Sequence, residues 1–457
     1  MSDTTPTTPS GAESVPFDSL PAAERRRRVR SWALWDWATQ PYNTVILTFV
    51  FTALYLNSDA FLDPAVAALG ENDPVRERAL ADLSSGLGAW ITVGGVLVAL
   101  LAPVLGRRAD VAGRRKAWLA AGTVVLVVAM FGLGFVRADP AYFALGAALV
   151  SLGSVASEIA GVNYNAMLTQ VSTPRTVGRV SGLGWGLGYV GGIVALLAVV
   201  VATELDFFGM DTSDGMGYRV IAVGCGLWAL AFAWPLFRHV PEAPPAADRP
   251  RVGFFAGYAQ LWRDVVALWR DARTTFWFLL ASAVYRDGLA GVFTFGAIVA
   301  AVSYRFTDQE VLIFGVLANL LAGVTTILAG RLDDRLGPRS VILWSLVALI
   351  TCIVVVVALL PAGKTAFWVA GLTLTLFVGP AQAASRSFLA RVTPAGHESE
   401  IFGLYATTGR AVSFLTPALW TAIIALTGAT IWGALGIAAV LLAGLVLMLA
   451  VTDPLER

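Results

Sequence analysis

The chain has 457 residues, of which 57% are hydrophobic and 14% charged, with a mean hydropathy of +0.71; an ordinary soluble domain carries about 25% charged residues. This composition excludes a soluble domain and supplies apolar residues for roughly a dozen membrane spans of about 20 residues each. The net charge of +1 gives no argument for a nucleic-acid partner. Cys225 and Cys352 lie far apart inside apolar runs, which speaks against a disulfide framework, and His239 and His397 both fall in loops, which speaks against a His-ligated metal.

In chain order, residues 1–30 read as a disordered basic cytosolic tail with its charge at Arg25 to Arg28, and the apolar run that follows is too long for a cleaved signal peptide. Twelve apolar segments come next, at about 32–56, 84–105, 117–136, 142–168, 180–203, 220–237, 276–302, 311–329, 341–360, 367–390, 401–427 and 431–451. All are helix candidates, because an isolated strand cannot satisfy its backbone in lipid. The organisation predicted is an all-α membrane protein: a six-helix half over 31–238, a cytosolic linker over 239–275 and a second six-helix half over 276–457. The linker opens with Pro241, Pro244, Pro245 and Pro250. It then takes a helical pattern, with Phe254, Tyr258, Leu261, Trp262, Val265, Leu268 and Trp269 on one face. Such a helix either lies on the inner membrane surface or packs as a strut under the bundle.

Basic residues are sorted by side. The tail, the loops after even-numbered spans and the C-terminus hold 24 Lys and Arg; the opposite side holds six, Arg76, Arg78, Arg137, Arg219, Arg305 and Lys364. By the positive-inside rule both termini are expected in the cytosol.

An internal repeat fixes the architecture. Gly106 to Lys116 follows the second span and Gly330 to Arg339 follows the eighth, and both read G-x-x-x-D-x-x-G followed by basic residues, 224 positions apart. A second echo, at offset 221, pairs Val171 with Val392, Gly182 with Gly403 and Gly188 with Gly409. The glycines allow a tight turn, and the Asp can face the positive N-terminus of a helix from the other half. The expected cytosolic gate therefore comprises Gly106, Asp110, Gly113 and Arg114 with Gly330, Asp334, Arg335 and Arg339. The alternative is turn chemistry with topology-setting cations.

The repeated loop resembles the signature of the major facilitator superfamily, although Val111 stands where an Arg commonly follows the Asp. A narrower resemblance is carried by Trp35-Asp36-Trp37-Ala38, Tyr285-Arg286-Asp287-Gly288, Gly379-Pro380-Ala381-Gln382-Ala383-Ala384-Ser385-Arg386-Ser387 and Phe402-Gly403-Leu404-Tyr405. These look like the vacuolar-effluxer-like family, which includes the fungal autophagy-related vacuolar amino-acid exporter. The resemblance implies twelve helices in two pseudo-symmetric halves, with spans one, four, seven and ten around the cavity. It also implies, more weakly, amino-acid export.

Ionisable residues inside spans are expensive and normally face a cavity or a partner. They are Asp36, Glu158, Arg286, Asp287 and Arg410, with Arg386 nearer the inner surface. Glu158 reads as a substrate or proton group or half of a structural pair, and Asp36 as a gate or a helix-end charge. Arg410 reads as a seam ion pair or a functional cation. Arg286 and Asp287 point about 100° apart, so one faces the cavity and the other pairs sideways, with span eleven as the candidate. Asn163 and Tyr164 on span four, Tyr42 and Asn43 beside a kink at Pro41, and Gln382 on span ten complete the candidate site.

The function expected is secondary transport of a small polar or zwitterionic solute by alternating access, with amino acids as candidates and protons as a candidate co-substrate. The alternatives are export of another drug or metabolite, a channel or a membrane enzyme. No G-x-x-x-x-G-K-[ST] loop supports ATP drive. The expected partners are the solute and the lipid bilayer, with no cofactor, metal or nucleic acid, for a monomer in a bacterial plasma membrane. Reporter fusions should place residues 239–275 and both termini in the cytosol. Finding the acidic stretch from Asp59 to Asp82 there instead would reverse the topology.

Overall fold

The computed structural model describes residues 16–70, 73–204, 214–242 and 253–452. Among these, eleven helices are long and apolar enough to cross a membrane. The first span completes twelve as a composite: an α-helix at Ala22–Pro41 continues into π-helical stretches at Tyr42–Phe49 and Phe51–Leu56.

The basic tail is a correction. Residues 1–15 lie outside the described residues, but the helix of the first span begins at Ala22 and carries Arg25 to Arg28. Ala, Glu and Arg are strong helix formers, Glu24 bonds Arg28 one turn later at 3.0 Å, and the span beyond supplies the helical nucleus.

Pro41 then perturbs the helix as its chemistry requires. It has no N–H for the carbonyl of Trp37 four residues back, and the indole of Trp228 on span six donates to that carbonyl at 3.2 Å. Span eleven is also divided, into Glu398–Val412 and Leu415–Thr427. The first turn of its second piece is held from span seven, where Asp287 accepts from the N–H of Thr416 at 2.7 Å.

The two halves meet along two seams, span five (Val177–Glu204) against span eight (Asp308–Leu336) and span two (Pro74–Ala112) against span eleven. Glycine sets both distances. A Cβ on Gly182 would stand 2.6 Å from the Thr326 carbonyl, and one on Gly403 would stand 2.7 Å from the Ala102 carbonyl. These glycines are the pair related by 221 residues, so the sequence echo marks one close backbone approach in each seam. Exposed Trp234, Trp344 and Val369 on outward faces are the surface that lipid covers.

The linker helix, Phe254–Asp271, runs directly into span seven, which starts at Arg273. The proline-rich segment before it falls mostly outside the described residues.

Gly182→Ala and Gly403→Ala should each force the seams apart on the face that carries the basic loops. In a Cys225→Ala, Cys352→Ala background, maleimide labelling of Ser399→Cys, a buried position beside the second seam, should accelerate at least about tenfold. Gly161→Ala, where a Cβ meets nothing within 4 Å, should leave labelling unchanged. Equal labelling in all three would show that the close approach is not needed for closure.

Candidate functional site

At the basic face the repeated loops close the molecule. Asp110 accepts from the backbone N–H groups of Ser399 (3.1 Å) and Glu400 (2.9 Å), in the first turn of span eleven. Asp334 accepts from those of Gly178 (2.8 Å) and Arg179 (3.2 Å), in the first turn of span five. Each acid sits on the positive end of a helix from the other half, as the duplicated loop predicts. The cations around them differ from expectation. Arg114 and Arg335 are exposed, and Arg339 donates to the carbonyls of Leu449 and Val451 in its own half. The residues that hold the acids are Arg115, 2.7 Å from Asp110 and bonded also to Glu398, and Arg179, 2.8 Å from Asp334. Arg391 pairs with Asp333 at 2.6 Å. Arg107 bridges the linker helix to span eleven, pairing with Asp264 and lying 3.7 Å from Glu400. Burial and then the Glu400 carboxylate push the Asp264 carboxyl above its usual range. Gly113, at φ +62°, ends span two in the left-handed conformation that glycine favours. Gly106 and Gly330 lie against the backbones of Ser399 and Gly178.

Away from that face a cavity of about 650 Å³ opens between the halves, lined from spans one, five, seven, eight and ten among others. Its polar lining includes Gln40, Asn43, Tyr189, Asn319 and Gln382, and none of the described lining residues is charged. Tyr189 donates to Gln382 Oε1 at 2.6 Å, which leaves the amide NH₂ available to a ligand.

The charge lies beneath. Asp36 is one helical turn before Gln40 on span one, and Arg386 is one turn after Gln382 on the antiparallel span ten, so both stand about 5–6 Å below the amide floor. Arg386 Nη1 reaches Asp36 Oδ2 and Asn165 Oδ1, each at 3.1 Å; Nε reaches Ser181 Oγ at 3.0 Å and Nη2 the Ser181 carbonyl at 2.6 Å. Tyr164 donates to the same Asp36 oxygen at 2.9 Å and stacks on Trp32. Arg386 is 3% exposed. One side chain of the second half is thus tied to spans one, four and five of the first.

Arg386 is expected nearer the inner surface and is not among the candidate site residues. Span ten continues to Val392, which puts the guanidinium well inside the bundle. The available signal was local: Ala383, Ala384, Ser385 and Ser387 around it are small, so the helix face leaves room for partners rather than for lipid.

The other candidate residues disperse. Glu158 pairs with Arg410 at 2.6 Å across spans four and eleven, with side chains 41% and 36% exposed. Arg286 donates to the carbonyl of Tyr405 at 3.0 Å and its guanidinium lies 3.7 Å over that ring. Asp287 caps the second piece of span eleven, the sideways pairing expected for one member of that couple. Asn163 is buried and bonds back to the Ile159 carbonyl at 3.0 Å. Tyr42 is buried and donates to the Val150 carbonyl within its own half. Of the ten solute- or proton-site candidates, Asn43 and Gln382 line the cavity, while Asp36 and Tyr164 belong to the cluster below it.

A family model described as "Vacuole effluxer Atg22 like" matches residues 82–454. YxiO of Bacillus subtilis, an uncharacterised transporter of the major facilitator type, is 25% identical over 407 residues, 88% of this chain and 89% of its own. Autophagy-related protein 22 of Cryptococcus neoformans is 26% identical over 277 residues, 55% of this chain and 46% of its own. The human organic anion transporter MFSD10 superposes with a TM-score of 0.71 over 94% of this chain and 100% of its own, at 15% identity. That last likeness is one of fold.

Asp110→Asn and Asp334→Asn keep the shape of each latch and remove the charge, at a cost of about 1–2 kcal/mol apiece. Spin labels at Arg114→Cys and Arg331→Cys, both exposed on the basic face but in different halves, should report a larger separated population in each variant. Unchanged distances together with unchanged transport would reduce the loops to turn chemistry.

Proposed function

The chain belongs to the Atg22-like vacuole effluxer family of the major facilitator superfamily and is a secondary transporter; we propose that its solute is a small zwitterion, amino acids first among them. In this reading the basic face is cytosolic, the two halves are the rocking units, and a single chain in a bacterial plasma membrane suffices, since the site lies within it. The observation that carries the reading is the Asp36–Arg386 pair, which joins the halves one turn beneath an uncharged amide floor. A zwitterion carries a replacement for each partner. Its carboxylate takes the guanidinium, with Gln382 as a flanking donor, and its ammonium takes Asp36.

Binding then rearranges a contact between the halves, which is the differential interaction that a conformational change requires. Asp36 released from Arg386 is a carboxylate that a proton can occupy, so proton coupling has a physical route. The family's description as effluxers makes export the direction to examine first. A second reading rests on Glu158 and Arg410: they form another charge pair across the halves, and their exposure opens them to a solute before it reaches the floor.

Purified protein in liposomes should exchange labelled amino acids by counterflow. Asp36→Asn and Arg386→Lys should each lower exchange by about a hundredfold or more, because a site built for paired charges leaves one uncompensated when the other is removed. The double variant Asp36→Asn/Arg386→Gln removes both charges, and should fold and still fail to transport. Glu158→Gln should act more weakly. Amino-acid exchange that survives at Asp36 and Arg386 but fails at Glu158 would move the site to the second pair. Exchange of uncharged or purely anionic solutes with none of amino acids would overturn the zwitterion class.

A further inference from the structure

The linker helix, Phe254–Asp271, presents two different faces. One packs on the bundle: Leu261, Val265 and Leu268 lie against the buried core, and the Tyr258 hydroxyl donates to the Leu100 carbonyl at 3.3 Å. The other is a stripe at 255, 259, 262, 266 and 269, spacings of four, three, four and three that fall on one line of an α-helix. Phe255, Trp262 and Trp269 on that stripe are 84%, 71% and 46% exposed.

The charges of the helix are sorted around the stripe. At 100° per residue, Arg263 and Arg270 lie within about 80° of its centre, whereas Asp264 and Asp271 lie about 160–180° away. Trp269 also contacts Phe276 and Trp277, with ring centroids 4.9 and 5.7 Å apart, where span seven begins. Exposed aromatics flanked by Arg, level with the basic end of a membrane span, have the chemistry of a bilayer interface rather than of open water.

The inward face is wired to the latch. Asp264 pairs with Arg107, and Arg107 lies 3.7 Å from Glu400. The backbone N–H of Glu400 is one of the two that Asp110 accepts. Two contacts therefore separate the helix that carries the exposed stripe from the contact that closes the basic face.

We propose that this helix reads the adjacent leaflet: anionic phospholipid seated on the aromatic stripe and on Arg263 and Arg270 holds Asp264 against Arg107 and so favours the closed basic face. The inference is independent of which solute is carried. Two Arg side chains at an anionic surface cap the shift in the closed-to-open ratio at roughly thirtyfold, and about tenfold follows when part of that attraction is shared by the open state.

The test uses the full-length chain in nanodiscs of phosphatidylcholine alone or mixed with phosphatidylglycerol, with spin labels at Arg114→Cys and Arg331→Cys in the Cys225→Ala, Cys352→Ala background. Phosphatidylglycerol should raise the ratio of the short-distance to the long-distance population about tenfold. The response should be lost in Phe255→Ser/Trp262→Ser and, should that pair misfold, in the surface-only pair Arg263→Gln/Arg270→Gln. Asp264→Asn should also lose the response, while a fluorophore on a separate Ala259→Cys variant stays quenched by brominated lipid with or without that substitution. Distances that ignore phosphatidylglycerol would overturn the proposal. So would an Asp264→Asn protein that responds like the unaltered one, or a fluorophore at position 259 that brominated lipid does not quench.

Discussion

Two carboxylates seated on the N-terminal turns of helices from the opposite half are the constraint on which the rest of the structure depends. Asp110 and Asp334 are 224 residues apart, and the N–H groups they accept, on Ser399 and Glu400 and on Gly178 and Arg179, are separated by the same 221 residues as the seam glycines. The two latches are therefore copies of one device, each made by the loop of one half and the helix end of the other. Hydrogen bonds to a charged acceptor contribute about 1.5–3 kcal/mol, and the helix dipole up to about 2 kcal/mol in partly buried geometry. Two such latches together are of the order of the roughly 5.5 kcal/mol that carries a two-state equilibrium from 99:1 to 1:99.

The pseudo-symmetry stops at the centre of the bundle. Offset 221 maps Asn165 onto Arg386 and Gly184 onto Tyr405, and aligning Trp35 with Tyr285 maps Asp36 onto Arg286. In the first seam Gly184 leaves room for both charges; a Cβ there would stand 2.7 Å from Asp36 Oδ2 and from Arg386 Nη2. In the second seam Tyr405 occupies the equivalent space, and Arg286 lies on its ring instead of against a carboxylate. The outer device is symmetric because both sides must close alike. The inner one is asymmetric, with a charge pair at one seam and a cation on a ring at the other.

The fold was legible in the sequence because apolar length and the repeated loop report directly on spans and halves. The Asp of each loop was legible too, since an acid in a basic turn needs a positive partner and a helix end supplies one. The cations were not. Arg114 and Arg115 are neighbours in the same turn, and their side chains diverge, so a motif cannot say which of them turns inward. Glu158, Arg286 and Asp287 were sound candidates on cost, yet the structure gives each a partner: Arg410, the Tyr405 ring and a broken helix end. Breaks in helices carry no charge signature, so the use of Asp287 as a cap for span eleven could not be read from composition. Arg386 stands close to the inner surface in sequence, where a cation is ordinary, so its position gave no sign that it ties three spans of the other half.

The vertical order of these layers sets how they can act. The latches lie at the basic face, the Asp36–Arg386 cluster above them and the uncharged cavity above that, so the amides of Gln40 and Gln382 stand between the cavity and the charge pair. Whatever displaces Asp36 from Arg386 also strains the bonds from Arg386 to Asn165 and Ser181, because one planar guanidinium makes them all and cannot re-aim one nitrogen alone. The tie between span ten and the first half then weakens as a unit, while the latches below remain made. The latches join a loop of each half to a helix end of the other at the basic face, and one arginine joins span ten to spans one, four and five above them, so the halves are held by two layers of contact of different kind.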